Sequence, residues 1–170
     1  MHLVSPPPYR IYLLRHAKSD WAKPGERDFD RALSNSGFAE AETVAVTAAA
    51  KAYKPDLVIS STALRCRQTA DAIKRNMPGS VPFRFLDELY NAPADTYFDV
   101  LSGLGDVQSV MLIGHNPAME EVLETLVGTA ALQAAIPDGY PTAGLAVLDH
   151  APDSPAESAK PWQLTDFLIH

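Results

Sequence analysis

The chain alternates short, wholly apolar runs with stretches whose apolar residues return every three or four positions. Arg10-Ile11-Tyr12-Leu13-Leu14 is an apolar run that stops at charged residues, the mark of a buried strand. Pro6, Pro7 and Pro8 cannot sit inside regular structure, so 1–9 is read as an extended lead-in to a single domain over 10–170. Lys18 to Arg31 is polar, contains Pro24 and Gly25, and reads as a loop. Ser34 stands where a helix N-cap belongs, and Phe38, Ala41, Val44 or Ala45, Ala48 and Ala52 follow at helical spacing over Gly37 to Lys51, before Pro55. Asp56 to Ser60 is a second strand. Ser61 or Thr62 can cap a helix over about Ala63 to Arg75, with Cys66, Ala70 and Ile73 on one face.

Val81 to Leu86 reads as a third strand, Asp87 to Asp95 as loop, and Thr96 to Leu104 as a short helix stopped by Gly105. Ser109 to Ile113 is a clear strand, and Ala118 to Val127 a helix with Pro117 suited to its first turn. Ala143 to Asp149 and Trp162 to Ile169 are the last strands, joined by a Pro/Ser/Ala loop from His150 to Lys160. Strands alternating with helices predict an α/β fold, with helices on both faces of a mostly parallel sheet. No internal repeat and no long linker divides the chain.

At 170 residues the chain can bury a sizeable core, and 46% hydrophobic with 21% charged residues is an ordinary globular composition. A formal net charge of -7 argues against a nucleic-acid partner, yet one basic pocket on an acidic body can still hold a small anion. Cys66 is the single cysteine, so no intrachain disulfide forms; this fits a reducing compartment, and the cytoplasm is the expected location. No secretory signal is read at the amino end and no apolar run approaches ~20 residues, so no membrane association is expected.

In open α/β sheets ligands bind beyond the carboxyl ends of the strands. The predicted strand ends carry Arg15-His16-Ala17, Ser60 to Arg65, Asp87-Glu88 and Gly114-His115-Asn116-Pro117. Two guanidiniums match the nonbridging oxygens of a phosphoryl group. A neutral imidazole can attack phosphorus, a second can hydrogen-bond the group in transit, and the helix after Pro117 can aim free N–H groups at an anion. A carboxyl group can protonate the leaving group and then activate water. Such a set needs no metal or other cofactor.

Taken singly, each residue has a plainer reading. His115 is a hydrogen-bonded structural histidine, Arg65 a solvated helix charge and Glu88 a surface residue. Lys18 and Arg67 are ordinary surface charge before they are pocket rim. His2, His150 and His170 are solvent-exposed, Cys66 is buried packing, and Trp162 and Phe167 pack in the core or at its edge. A metal site built on His16 and His115 lacks a Cys pair or a His-x-x-x-His run, and two arginines would repel the ion.

Together, Leu13-Leu14-Arg15-His16-Ala17, Ser60-Ser61-Thr62-Ala63-Leu64-Arg65-Cys66-Arg67-Gln68-Thr69-Ala70 and Gly114-His115-Asn116 resemble, in order and spacing, the three motifs of the histidine phosphatase (phosphoglycerate mutase-like) superfamily. The resemblance runs from about Ile11 to Leu148. It implies a three-layer α/β/α sandwich with a mostly parallel central sheet. It implies His16 as the nucleophile, with Arg15, Arg65 and His115 as the phosphate pocket. Leu86-Asp87-Glu88 resembles the segment that supplies the proton donor, which points to Glu88, with Asp87 as its competitor. Ser19 and Asn116 are further substrate-binding candidates, and Thr142 and Ala143 candidates to bring a backbone N–H near the pocket. Ala17 stands where the commoner signature has glycine. The short chain, the Arg-His-Ala start and Glu88-Leu89-Tyr90-Asn91-Ala92 look most like the SixA-type branch, associated with phosphohistidine phosphatase activity. The expected partner is a phosphorylated protein. The alternatives are a small phosphorylated metabolite hydrolysed at the same site, and a non-catalytic phosphate-binding adaptor.

Overall fold

The structure, a computed structural model, describes residues 4–152 and 160–170. His2, and most of the Pro/Ser/Ala loop between the last two strands, lie outside the described residues. The chain runs β1 (Arg10–Arg15), α1 (Asn35–Ala50), β2 (Leu57–Ser61), α2 (Leu64–Asn76), β3 (Phe83–Leu86), α3 (Ala94–Ser102), β4 (Ser109–Gly114), α4 (Ala118–Val127), α5 (Thr129–Ala135), β5 (Leu145–His150) and β6 (Trp162–Leu168). Single 3-10 turns at Asp28–Asp30 and Asp87–Leu89 interrupt the two segments expected to be irregular.

The six strands form one sheet in the order β3-β2-β4-β1-β5-β6. The β3-β2, β2-β4 and β4-β1 pairings are parallel, while β1-β5 and β5-β6 are antiparallel. The sheet is therefore mixed but mostly parallel, with β5 alone running against the other five strands. Alternation along β1 feeds both faces: Ile11 and Leu13 join α3, α4 and α5 in one core cluster, and Tyr12 and Leu14 join α1 and α2 in the other. This is the three-layer arrangement.

Ser34 accepts the Gly37 N–H at 3.0 Å and caps α1 as its sequence predicts. The buried stripe of α1 differs from the predicted one. It runs Gly37, Ala41, Val44, Ala45 and Ala48, whereas Phe38 is half exposed and Ala52 lies beyond the helix in a left-handed conformation, φ 60°. A Cβ at Gly37 would stand 1.9 Å from the carbonyl oxygen of Lys18, so only glycine lets the segment after β1 lie against α1. Neither Ser61 nor Thr62 takes the N-cap of α2; Ala63 does, and its own N–H donates to the Ser61 hydroxyl at 3.2 Å. Gly103, not Gly105, ends α3. The lead-in is tied down: Val4 is buried, its carbonyl accepts the Trp162 indole N–H at 3.1 Å, and the Tyr9 N–H donates to Gln108 at 2.8 Å.

β1 and β4 lie side by side at the centre with Arg15 opposite Gly114. Their carboxyl ends, and that of β2, open on the same edge of the sheet. That edge is where parallel strands leave their ligand crevice.

Candidate active site

His16 follows β1 and His115 follows β4, which brings their ring centroids to 5.3 Å. Arg65 reaches the same edge from the first turn of α2, and Arg15 from the last residue of β1. A cavity of about 500 Å³ opens there, lined by Arg15, His16, Arg65 and His115, with Lys18, Ser19, Arg31, Asn91, Asn116 and Thr142 among its other walls. The four residues expected to form a phosphate pocket therefore share one cavity, and Ser19 and Asn116 lie on it as well.

Backbone hydrogen bonds fix His16 from several sides. Its N–H donates to Gly114 at 3.1 Å, and its carbonyl accepts the Ala143 N–H at 3.2 Å. Ala17 N–H donates to the Thr69 hydroxyl at 3.1 Å. Ala143 holds its position with a left-handed φ of 57°, which lets the Pro141–Gly144 turn close at the rim, so β5 begins at Leu145 rather than at Ala143. The Ala143 N–H is thus spent on His16 instead of facing a ligand.

The ring of His16 is oriented by its neighbour. Nδ1 lies 2.7 Å from the Ala17 carbonyl oxygen, which can only accept, so Nδ1 carries the proton and Nε2 holds the lone pair. Burial drives the pKa of His16 down to about 3; the Ala17 carbonyl opposes this, and His115, Arg65 and Arg15 add to it. The ring is therefore neutral at any pH near 7. Burial, then Arg65, pushes His115 down to about 4. Its backbone N–H donates to the Tyr97 hydroxyl at 3.0 Å, and its Nε2 lies 2.9 Å from the Ser61 hydroxyl. Tyr97 is wholly buried, and a Cβ at Gly114 would fall 2.3 Å from its oxygen. Glycine before His115 is what lets this ring support the histidine.

Arg65 is buried and Arg15 is half-buried. Arg65 is 5% exposed. Arg15 Nη1 donates to the Tyr140 carbonyl at 2.6 Å, and burial lowers its pKa. The Tyr140 hydroxyl in turn donates to the Leu13 carbonyl. Arg65 Nη1 and Nη2 donate to the carbonyl and carboxylate of Asp28 at 2.8 and 3.1 Å. The Nε–H groups of Arg15 and Arg65 are buried with no partner among the described residues. An orphaned buried donor costs about 1–3 kcal/mol, and more when charged. Arg15 and Arg65 both line the cavity, which gives it the guanidinium groups that suit an oxyanion.

The start of α4 contributes less than its sequence suggests. Met119 N–H already donates to His115 at 2.9 Å and Glu120 N–H to the Asn116 side-chain oxygen at 3.1 Å. Pro117 has no N–H. Asp87 and Glu88 sit on the exposed 3-10 turn after β3. Asp87 accepts the Thr62 hydroxyl at 2.6 Å, and neither carboxylate lines the cavity. Among the described residues that line it, none is acidic. Lys18, read as surface charge, lies on the cavity wall; Arg67 lies outside it. His170 pairs with Glu40 at 3.2 Å and His150 packs edge-on against Trp162, and neither histidine lines the cavity. Asp28 and Arg31 are site neighbours that no motif marks; Arg31 pairs with Asp28 three residues away, and Asp28 meets Arg65 and Tyr90 across 37 and 62 residues of chain.

Residues 11–97 match the profile of the histidine phosphatase superfamily, branch 1. A crystal structure of a candidate phosphohistidine phosphatase SixA from Agrobacterium tumefaciens superposes with a TM-score of 0.88 at 52% identity, covering 96% of this chain and 99% of that one. An uncharacterized protein of Mycobacterium tuberculosis is 35% identical over 140 residues, which cover 79% of this chain and 85% of that protein. An uncharacterized chloroplastic protein of Arabidopsis thaliana is 31% identical over 131 residues, 71% of this chain but 60% of that longer protein. The chain belongs to branch 1 of the histidine phosphatase superfamily and is a phosphatase.

Proposed function

We propose that the chain is a protein phosphohistidine phosphatase working through a covalent phosphohistidine on His16. The observation that carries this reading is a phosphoryl-sized set of cationic and imidazole groups with no carboxylate among the described residues lining the cavity. An alkyl phosphate leaves as an alkoxide and needs a proton from a nearby acid. A phosphorylated imidazole protonated on its other nitrogen leaves as a neutral ring and needs none. The likeness to the Agrobacterium SixA candidate, at 52% identity, supports the same substrate class.

In the first step His16 Nε2 donates its lone pair to phosphorus as the P–N bond to the substrate imidazole breaks, and the bonding pair leaves with that imidazole. Arg15 and Arg65 hold the nonbridging oxygens through their Nε–H groups, and His115 lines the same pocket beside them. Ser19 and the Asn116 amide are further donors at the wall. In the second step a water oxygen bonds to phosphorus, the P–Nε2 bond breaks, and orthophosphate leaves with the proton lost to solvent. Glu88 keeps the proton-donor role only for an ester substrate that brings the leaving oxygen out to the exposed turn. A small phosphorylated metabolite would use the same residues and would need that acid. We place the enzyme in the cytoplasm, where a single unpaired cysteine, Cys66, stays reduced.

The test is hydrolysis of a phosphohistidine protein and of a panel of sugar phosphates, both in chelator, by wild type and His16→Ala. The reading expects chelator-resistant turnover of phosphohistidine that the variant lacks. Faster turnover of a sugar phosphate would assign the small-metabolite role instead, and oxyanion binding without turnover of either would assign an adaptor.

A further inference from the structure

Asp28 stands on the 3-10 turn between β1 and α1, outside every motif that marks the site. It is nevertheless bound from three directions. Its carbonyl accepts Arg65 Nη1 at 2.8 Å, and its Oδ2 accepts both Arg65 Nη2 at 3.1 Å and the Tyr90 hydroxyl at 2.6 Å. Its Oδ1 accepts Arg31 Nε at 2.8 Å. Tyr90 is itself wedged, edge-on, between Phe29 at 5.1 Å and His115 at 5.8 Å between ring centroids. The Tyr90 hydroxyl, then Arg65 and Arg31, holds the Asp28 carboxyl below its usual range, so it is an anion at neutral pH.

A guanidinium can present its five N–H groups as an end-on fork, Nη1 with Nη2, or as a side-on fork, Nε with Nη2. Asp28 takes the end-on fork of Arg65. What remains is the side-on fork: its Nη2 also lies 3.5 Å from His115 Nδ1, and its Nε–H is the buried donor that has no partner among the described residues. The contact with Asp28 therefore decides which edge of Arg65 is left for a ligand.

We propose that Asp28 is the positioning residue of Arg65, holding the guanidinium so that its side-on fork faces the phosphoryl group, with Tyr90 orienting the Asp28 carboxylate. This rests on Arg65 being a phosphoryl ligand. Asp28 touches no substrate; it acts through Arg65. Charge alone predicts the reverse effect, because a carboxylate behind the site repels a dianion. That repulsion is weak, since the Asp28 side chain is 49% exposed, paired with two arginines and screened by salt. Loss of orientation in a side chain as long as arginine outweighs it. The two effects have opposite signs, which makes the proposal decidable.

The experiment is calorimetric titration of the full chain with tungstate, beside steady-state kinetics on a phosphohistidine protein, for wild type, Asp28→Ala, Asp28→Asn, Tyr90→Phe, Arg65→Ala and the Asp28→Ala/Arg65→Ala double variant. Asp28→Ala is expected to weaken tungstate about tenfold and to raise KM more than it lowers kcat. Asp28→Asn, which keeps one acceptor oxygen, recovers part of the loss. Tyr90→Phe gives a smaller loss in the same direction and carries the test if Asp28→Ala does not fold. In the Arg65→Ala background, Asp28→Ala adds no further loss. Tighter or unchanged binding in Asp28→Ala, or an equal loss with and without Arg65, overturns the proposal. If Arg65→Ala itself binds tungstate normally, the reading of the site fails, and this inference with it.

Discussion

Nδ1 of His16 lies 2.7 Å from the carbonyl oxygen of Ala17, and this contact decides which ring nitrogen is free to react. The donor side of the ring is turned back onto its own backbone. Nε2 keeps its lone pair, and burial disfavours the charged imidazolium.

Acid should therefore stop the enzyme only well below the usual histidine range. Both site histidines titrate below their ordinary value when folded, so between that value and about 3 or 4 the unfolded chain binds more protons than the folded one. Their contribution is complete above pH ~6.5 and is lost as pH falls from there through the folded values. Each pH unit between the ordinary and the folded value is worth about 1.4 kcal/mol, so the loss by pH 4 is on the order of a few kcal/mol for each ring. Denaturant unfolding from pH 7 to pH 4 should show the midpoint falling, while the His16 ring contributes no inflection near pH 6.5 to kcat per folded molecule. An inflection at 6.5 that belongs to His16 would contradict its burial as a neutral ring.

Gly114→Ala should damage His115 without touching it. The added Cβ meets Tyr97 at 2.3 Å from its oxygen and 2.7 Å from the ring, and Tyr97 has no exposed side to move into. Overpacking of this kind costs about 1–3 kcal/mol, or roughly 2–12 °C in Tm for a chain of this size. Turnover should fall by about tenfold or more as the His115 backbone shifts. Tyr97→Phe should leave the volume intact but orphan the His115 N–H, with a smaller loss of Tm. Thermal unfolding with parallel kinetics checks both. Wild-type activity in Gly114→Ala would mean that the Tyr97 support is not needed.

Glu88→Gln should separate substrate classes. With its carboxylate on the exposed turn and outside the cavity lining, the variant is expected to hydrolyse phosphohistidine within about twofold of wild type. Any turnover of an alkyl phosphate should fall by about a hundredfold, the usual scale of general-acid assistance. A large loss on phosphohistidine would show that the turn closes onto the site during the reaction.

Cys66 should be chemically silent. It is wholly buried, and burial pushes its thiol up to about 12. An aromatic disulfide reagent at pH 8 should label it only after denaturation. Labelling of the native protein at the rate of a free thiol would contradict the packing of α2 against the sheet.

Much of this is legible in the sequence because the pieces are local. The β1, β2 and β4 runs announce themselves, and Arg15-His16, Arg65 and Gly114-His115 follow from strand ends in an α/β fold. The stripe on α1 departs from its pattern where a packing demand outweighs side-chain character: Gly37 is buried because Lys18 presses on it, and Phe38 turns out to solvent. The reversed direction of β5, which makes its pairings with β1 and β6 antiparallel, is also hidden, since an apolar run does not state its direction. The position of Glu88 depends on where a turn points after its strand ends, which no local spacing encodes. Asp28 and Tyr90 come to Arg65 and to each other across tens of residues, so their neighbours in the chain give no sign of it.

The most direct measurement of the central claim is the identity of the phosphorylated residue in a rapidly quenched reaction. Wild type mixed with a labelled phosphohistidine protein, quenched within milliseconds at alkaline pH and mapped by mass spectrometry, should carry phosphate on His16. His16→Ala should carry none, with turnover lower by at least about a thousandfold. Phosphate on another residue, or turnover that survives in His16→Ala, would contradict the account.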